Sequence, residues 1–319
     1  MIPRFELGTT TPREVHDALA HSGTMLIRDT SASARCNQAL ADAAAFFALP
    51  QASKDALDIR RSPHFRGYST MQNERDWREQ IHFGRETGAA GDDPPFLKLE
   101  GPNLWPPDAA WRARMLEYLA AVEAMGKRLL ALVAESLALP PASFTGATPP
   151  YLLMKLICYH AQPDVAAPRQ GVAAHLDFSW ITLTLQDDTG GLEVMLPDGK
   201  WYSVEPRPAT WLVNVGELLQ FATANTFPAT PHRVVNPSTR RSRISIPVFV
   251  NPSMGAKVSR LPVREVSASV APRAHVHRVL APDRPPTSFD FGEAEWRRKG
   301  LNIWCEACVG DGEREPSGA

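Results

Sequence analysis

His175-Leu176-Asp177 sets an imidazole and a carboxylate two residues apart, just before the alternating segment Trp180 to Gln186. Side chains i and i+2 of an extended chain share one face, so both groups can reach a single metal ion while Leu176 turns into the wall. His232, in Thr230-Pro231-His232-Arg233-Val234, opens a later strand-like segment and offers a third ligand. Two imidazoles and one carboxylate on one side of a metal leave its other positions open, an arrangement suited to non-haem iron(II). An HxD triplet alone is a weak signal, since a hydrogen-bonded histidine beside a turn aspartate has the same spelling.

A second pair strengthens the reading. Arg243-Ile244-Ser245 follows His232 and again places two polar side chains at i and i+2, leading into the apolar run Ile244 to Val250. Arginine's planar fork binds a carboxylate through two nitrogens, and a neighbouring hydroxyl adds a further donor. A buried arginine near a metal needs an anion. A dicarboxylate that chelates the metal at one end and meets Arg243 and Ser245 at the other answers both demands. The alternative for Arg243 is a surface charge in the basic cluster Arg240-Arg241-Ser242-Arg243.

The elements that must position these residues are mostly short strands. Leu152 to Tyr159, Trp180 to Gln186, Leu192 to Leu196, Thr210 to Val215, His232 to Val235 and Ile244 to Val250 all read as β, separated by turns such as Asp187-Asp188-Thr189-Gly190-Gly191 and Pro197-Asp198-Gly199. Many short strands with Gly/Pro turns point to a sandwich or barrel. Two segments read as core-packing helices: Ser33 to Leu49, stopped by Pro50, and Asp108 to Leu139, stopped by Pro140-Pro141. Residues 60 to 107 show little periodicity and read as a long functional loop, too aromatic for simple disorder.

The totals bound the rest. With 319 residues and 44% hydrophobic content, the chain can bury a large core. A formal net charge of −1 gives no global field toward nucleic acid or an acidic membrane. The 29 prolines fit many connections between strands. Four cysteines are too few for a disulfide framework, and Cys305-x-x-Cys308 reads as incidental thiols. No signal peptide is evident and no run of about 18 apolar residues occurs, so a cytoplasmic enzyme is expected, a monomer or weak homodimer. His275-Val276-His277 lacks a partnering carboxylate and reads as a non-ligand pair.

The stretch from His175 through Gly190-Gly191-Leu192-Glu193-Val194 resembles the HxD-to-GGLxV region of the isopenicillin N synthase-like iron(II)/2-oxoglutarate-dependent dioxygenases. The likeness continues in Asn214-Val215-Gly216-Glu217, His232-Arg233-Val234 and Arg243-Ile244-Ser245. Upstream it extends to Phe46 to Pro50, Lys54, Arg66-Gly67-Tyr68 and Asp76-Trp77-Arg78-Glu79, so it covers nearly the whole chain. It implies a mainly β protein with flanking helices around a double-stranded β-helix, or jelly roll, with Fe(II) on His175, Asp177 and His232. It also implies 2-oxoglutarate on Arg243, Ser245 and Tyr159, with dioxygen as the second cosubstrate. One structural unit is expected: a helical and mixed region at 1–150, the core at 151–252, an extension at 253–308 covering the site, and a polar, disordered tail at 309–319.

The implied activity couples conversion of 2-oxoglutarate to succinate with oxidation of an unactivated C–H bond of a small molecule in specialised metabolism. Hydroxylation, desaturation and cyclisation all remain open, and the presence of Asp177 argues against halogenation. The expected substrate wall comprises Phe178 and Trp180, then Arg66, Tyr68, Gln80 and His82, and finally Leu301, Ile303 and Trp304. Two rivals stay in view: an iron(II) oxidase of the isopenicillin N synthase type that needs no 2-oxoglutarate, and a non-catalytic jelly-roll module that binds a ligand.

Overall fold

Alternation of apolar and polar side chains along strands buried on one or both faces accounts for most of the architecture. The computed structural model describes residues 1–73, 75–161, 170–235, 241–263, 280 and 287–307, with side chains as far as residue 300. The order begins β1 (Arg4–Glu6), α1 (Pro12–Ser22), β2 (Thr24–Arg28), α2 (Ser33–Phe47), α3 (Gln51–Asp55), β3 (Gly67–Gln72), β4 (Trp77–Phe83) and α4 (Ala109–Ser136). It continues with β5 (Leu152–Tyr159), β6 (Gln170–His175), β7 (Ile181–Gln186), β8 (Leu192–Met195), β9 (Trp201–Ser203), β10 (Thr210–Val215) and α5 (Glu217–Ala222). Last come β11 (His232–Val235), β12 (Arg243–Val250), β13 (Lys257–Ser259), β14 (Ser288–Asp290) and α6 (Phe291–Ala307).

Eight strands form one sheet in the order β1-β2-β10-β7-β12-β5-β4-β3, and four form a second in the order β6-β11-β8-β9. Inward side chains of the larger sheet, Leu26, Ile157, Tyr159 and Leu212, meet Leu192, Val194, Leu196, Val204 and Val234 in a shared core. The two faces thus close on each other as a jelly roll. The opposite face of the larger sheet buries Met154, Leu156, Leu183, Leu185, Ile246, Val248 and Val250 in one cluster with the apolar faces of α1, α2 and α4.

Helix α4 is capped by Asp108, whose carboxylate accepts from the backbone N–H groups of Ala110 and Trp111. Its buried stripe includes Met115, Leu119, Val122, Leu129 and Val133, at the spacing of one helical face. Gly126 lies where the helix crosses β12: a Cβ there would sit 2.8 Å from Val250 Cγ2. Replacing Gly126 by leucine should overpack this contact and destabilise the fold by about 1–3 kcal/mol. Urea unfolding monitored by tryptophan fluorescence would measure it, and unchanged stability would show that the helix can lift off the sheet freely.

The structure adds α3, β6, β9, α5, β13, β14 and α6 to the elements expected from sequence, and two regions differ from expectation in kind. Residues 60–107 are not one irregular loop, because β3 and β4 pair within them and β4 joins β5 in the main sheet. Inward β4 positions carry Arg78, Gln80 and His82, so polar groups stand on a buried face and the usual alternation is absent. The N-terminal β1-α1-β2 unit also went unread, although Thr11 and Glu14 form a capping box and Gly23 ends α1 in the left-handed region at φ 67°. The 1–150 region therefore supplies strands to both edges of the main sheet. His275, His277 and Cys308 fall outside the described residues.

Candidate metal and cosubstrate site

His175 ends β6 and His232 opens β11, and the two are direct partners in the antiparallel register. Their rings lie 4.2 Å apart between centroids. Each ring is oriented from behind: His175 Nδ1 lies 2.8 Å from the Ala173 carbonyl, and His232 Nδ1 lies 3.1 Å from the Thr230 carbonyl. A carbonyl can only accept, so each Nδ1 carries its proton and each Nε2 keeps a lone pair for a metal. Both Nε2 atoms converge on Asp177, 3.5 Å from Oδ1 and Oδ2 respectively. The three ligand atoms lie within 4.8 Å of one another.

Asp177 sits just after β6, with its carbonyl accepting from the Glu217 N–H at 2.8 Å. It is 4% exposed, and Oδ2 has no hydrogen-bond partner among the described residues. Burial alone would raise its pKa, but the His232 and His175 imidazoles and the Thr182 hydroxyl hold it below the usual carboxylate range. Burial lowers the His232 pKa against the pull of Asp177, which favours the neutral imidazole. An ionised carboxylate with an orphaned oxygen facing two imidazole Nε2 atoms is a donor set that fits a divalent metal.

Deeper in the roll, Arg243 is fully buried, with its guanidinium 4.9 Å from the centre of the Tyr159 ring. Its Nε donates to the Gly190 carbonyl at 2.6 Å and its Nη2 to Gln186 Oε1 at 2.9 Å. Nη1 is buried with no partner among the described residues. Burial pulls the Arg243 pKa down, with Tyr159 and Asp187 opposing it. The guanidinium stays charged at any working pH. Ser245 is two residues along the same inward face and pairs with Gln186 of β7 and Ile157 of β5. A buried cation with a free donor, beside a serine and a tyrosine, fits the distal carboxylate of 2-oxoglutarate. Gly171 of β6 makes room for Tyr159, since a Cβ there would lie 2.5 Å from the ring.

The remaining expected residues divide. Gln80 and His82 face into the roll, with Gln80 Oε1 and both His82 ring nitrogens lacking partners among the described residues. Phe178 stacks on Phe291 at 6.2 Å, and Trp180 packs edge-on to Phe144 at 5.4 Å. Tyr68 turns to the other face of the sheet, because it is one residue out of phase with Gly67 and Ser69, which oppose His82 and Gln80. There its hydroxyl donates to Glu79 at 2.6 Å. Arg66 is buried rather than exposed, and its guanidinium donates to the Leu99 carbonyl and the Tyr151 hydroxyl. Leu301, Ile303 and Trp304 lie on α6, but their side chains fall outside the described residues.

Glu79, Cys158 and His160 also come within ligand reach of one another. Glu79 is already engaged, accepting from Lys54 at 2.7 Å and lying 2.8 Å from His160 Nε2. The Cys158 sulfur and the Glu79 carboxylate push the His160 imidazole up to about 10. The ammonium and imidazolium already balance Glu79, so this is an ion-pair network tying α3 to β4. Residues near the site that the sequence reading did not single out are Lys155, Gly190, Arg298 and Lys299, along with Gln186 as an Arg243 partner. Nothing local marks them, because their placement depends on strand register and on how α6 docks.

Comparison with known proteins points the same way. Residues 151–252 match the family model of the 2OG-Fe(II) oxygenase superfamily, and residues 8–108 match that of the non-haem dioxygenase in morphine synthesis N-terminal region. The chain is 34% identical over 222 residues to the 2-oxoglutarate-Fe(II) type oxidoreductase hxnY of Emericella nidulans, covering 64% of this chain and 63% of that one. It is 30% identical over 325 residues to a 2-oxoglutarate-dependent dioxygenase of Gibberella zeae, covering 93% of this chain and 81% of that protein. Among solved structures, a 2OG-Fe(II) oxygenase family protein from Caulobacter crescentus superposes with a TM-score of 0.76 at 26% identity, covering 94% of this chain and 99% of that one. A full-length Neurospora crassa protein, solved in complex with alpha-KG and thymine, gives 0.75 at 22% identity, covering 94% and 97%.

Proposed function

This chain belongs to the 2OG-Fe(II) oxygenase superfamily, and within it we propose that His175, Asp177 and His232 hold Fe(II) while Arg243, Ser245 and Tyr159 hold 2-oxoglutarate. The reaction is oxidation of an unactivated C–H bond of a small molecule, by hydroxylation, desaturation or cyclisation. The observation that carries this reading is the pairing of a metal-ready triad with a buried arginine whose Nη1 lacks a partner among the described residues. When bound, iron and 2-oxoglutarate supply the oxidising power, drawn from dioxygen and from decarboxylation of the cosubstrate.

The chain's own residues do the rest. The Ala173 and Thr230 carbonyls fix both imidazole tautomers and aim Nε2 at the metal. Asp177 supplies the anionic ligand and Arg243 the counter-charge for the distal carboxylate, so the cosubstrate is held at two ends and oriented between them. Gln80, His82, Phe178 and Trp180 wall the substrate chamber, and α6 packs beside it through Phe291 on Phe178. Among the described residues, no helix is long and apolar enough to cross a membrane. A cytoplasmic monomer or weak homodimer completes the proposal, and the thymine bound by the Neurospora neighbour suits a chamber for small metabolites.

The test is a coupled assay of the Fe(II)-loaded chain against a library of small metabolites, measuring oxidised product and succinate together. One succinate should form per product, and formation should stop on iron chelation. Iron-dependent product without succinate would move the enzyme to the oxidase class.

A further inference from the structure

The substrate end of the chamber is defined by strand register. Thr182, whose hydroxyl helps keep Asp177 ionised, pairs with Phe249 of β12. The Phe249 ring lies 5.5 Å from Lys155 Nζ, and Lys155 is the direct cross-strand partner of His82. Lys155 and His82 therefore line the roll at the level of the metal ligands, several residues along the strands from Arg243. Helix α6 brings two further cations to this end. Lys299 is 2% exposed, with Nζ 4.1 Å from the Phe65 ring centre, and Phe65 in turn packs on His82 at 5.5 Å. Arg298 lies 5.8 Å from the Phe178 ring centre.

Among the described residues Arg66, Arg78, Lys155 and Lys299 stand around His82, and Arg298 stands beside Lys299. The nearby acids are Asp76, which takes Arg78 at 3.0 Å; Glu295, which takes Arg298 Nε and Nη2 at 2.7 Å; Asp177, whose charge reaches Arg298; and Glu100, which feels the charge of Arg66. Lys299 lies 3.6 Å from the same Glu295, which Arg298 already engages, so it shares that carboxylate and otherwise faces the Phe65 ring. His82 itself is 1% exposed with neither ring nitrogen partnered among the described residues, an unusual state for a buried imidazole. Burial and the surrounding cations hold both the His82 imidazole and the Lys299 ammonium well below their usual ranges. A desolvated cation short of an anion is unfavourable, and a ligand carboxylate placed beside it would relieve the imbalance.

We propose that the substrate is a small carboxylic acid whose carboxylate is held by Lys299 against the His82 ring, leaving the rest of the molecule to reach the metal along Phe178. This deepens the function proposed above and rests on it for the reaction, but not for the binding. Lys299 is on this reading a specificity-determining residue, and its presence costs the unliganded fold stability.

The experiment is thermal denaturation of the full chain loaded with Mn(II), with and without saturating 2-oxoglutarate. The probes are a panel of small carboxylic acids and their matched carboxamides. Acids of suitable shape should raise the melting temperature while their amides do not, and Lys299→Met should abolish that shift. Without any ligand, the Lys299→Met chain should melt about 2–4 °C higher than the native one, since a buried, poorly compensated cation has been removed. The proposal is overturned if amides stabilise as well as acids, if no acid stabilises, if the shift survives in Lys299→Met, or if that substitution lowers the melting temperature. A missing response to 2-oxoglutarate alone would instead count against the cosubstrate site, because the acid panel is also read in its absence.

Discussion

In a His232→Ala chain, iron affinity is expected to fall by more than about 100-fold and turnover to vanish. Loss of an outer partner that merely orients a metal ligand typically costs about 10–100-fold, so loss of the ligand itself must exceed that. Among the described residues the geometry leaves no substitute. His175 and Asp177 occupy their own positions, and the remaining cluster of Glu79, Cys158 and His160 lies on the other face of the sheet, engaged by Lys54. A metal at one hundred times its Kd stabilises the native chain by about 2.7 kcal/mol, worth roughly 5 °C or more in melting temperature. That increment should be present in the native chain and absent from the variant. The metal-free variant should still melt cooperatively, because His232 sits at a strand end and, among the described residues, its imidazole makes one hydrogen bond, to the Thr230 carbonyl. His232→Gln, closer in size, guards against a simple packing failure. Calorimetric titration with Fe(II) or Mn(II) under anaerobic conditions reads the affinity directly; undiminished binding in both variants would place the metal elsewhere.

The triad was legible because its information is local. His175 and Asp177 share a face by the period of two, and the apolar runs of β5, β7 and β12 mark those segments as strands. Arg243 was legible for the same reason, standing at the head of one such run. The β3–β4 hairpin was not, because its inward positions carry Arg78, Gln80 and His82 to meet a polar chamber, which erases the hydrophobic alternation that marks a strand. Tyr68 shows how a one-residue phase decides a role: its neighbours Gly67 and Ser69 face the roll, while it anchors Glu79 outside. Arg66 and Arg78 are both buried, and nothing in the local composition marks that, since long-range pairing of the neighbouring strands places them. Lys155 and Lys299 come to the same end of the roll only through register and helix docking, and no spacing in the chain announces that meeting.

Replacing Arg243 by methionine should change two measurements in different ways. For 2-oxoglutarate, truncating one partner of a buried, hydrogen-bonded charge pair costs about 2–5 kcal/mol. The dissociation constant should therefore rise by roughly 30-fold to several thousand-fold. Without cosubstrate the same change removes a fully buried cation that makes no salt bridge to any described residue. Exchanging buried charges for apolar side chains of similar volume is often neutral or stabilising by about 1–4 kcal/mol. Against that gain, the Gly190 carbonyl and Gln186 Oε1 each lose a donor, at about 1–3 kcal/mol apiece if neither finds another. The two effects are comparable, so urea stability of the unliganded variant should stay within about 2 kcal/mol of the native chain. A structural arginine behaves otherwise: its loss would unfold the roll and weaken everything bound there together. Arg243→Lys sharpens the distinction, because it keeps the charge and loses the planar fork that reaches Gly190, Gln186 and a carboxylate at once. Its cosubstrate affinity should fall between the native and methionine chains. Equal 2-oxoglutarate affinity in all three proteins would remove the cosubstrate from this end of the roll and leave the unpartnered Nη1 to some other anion.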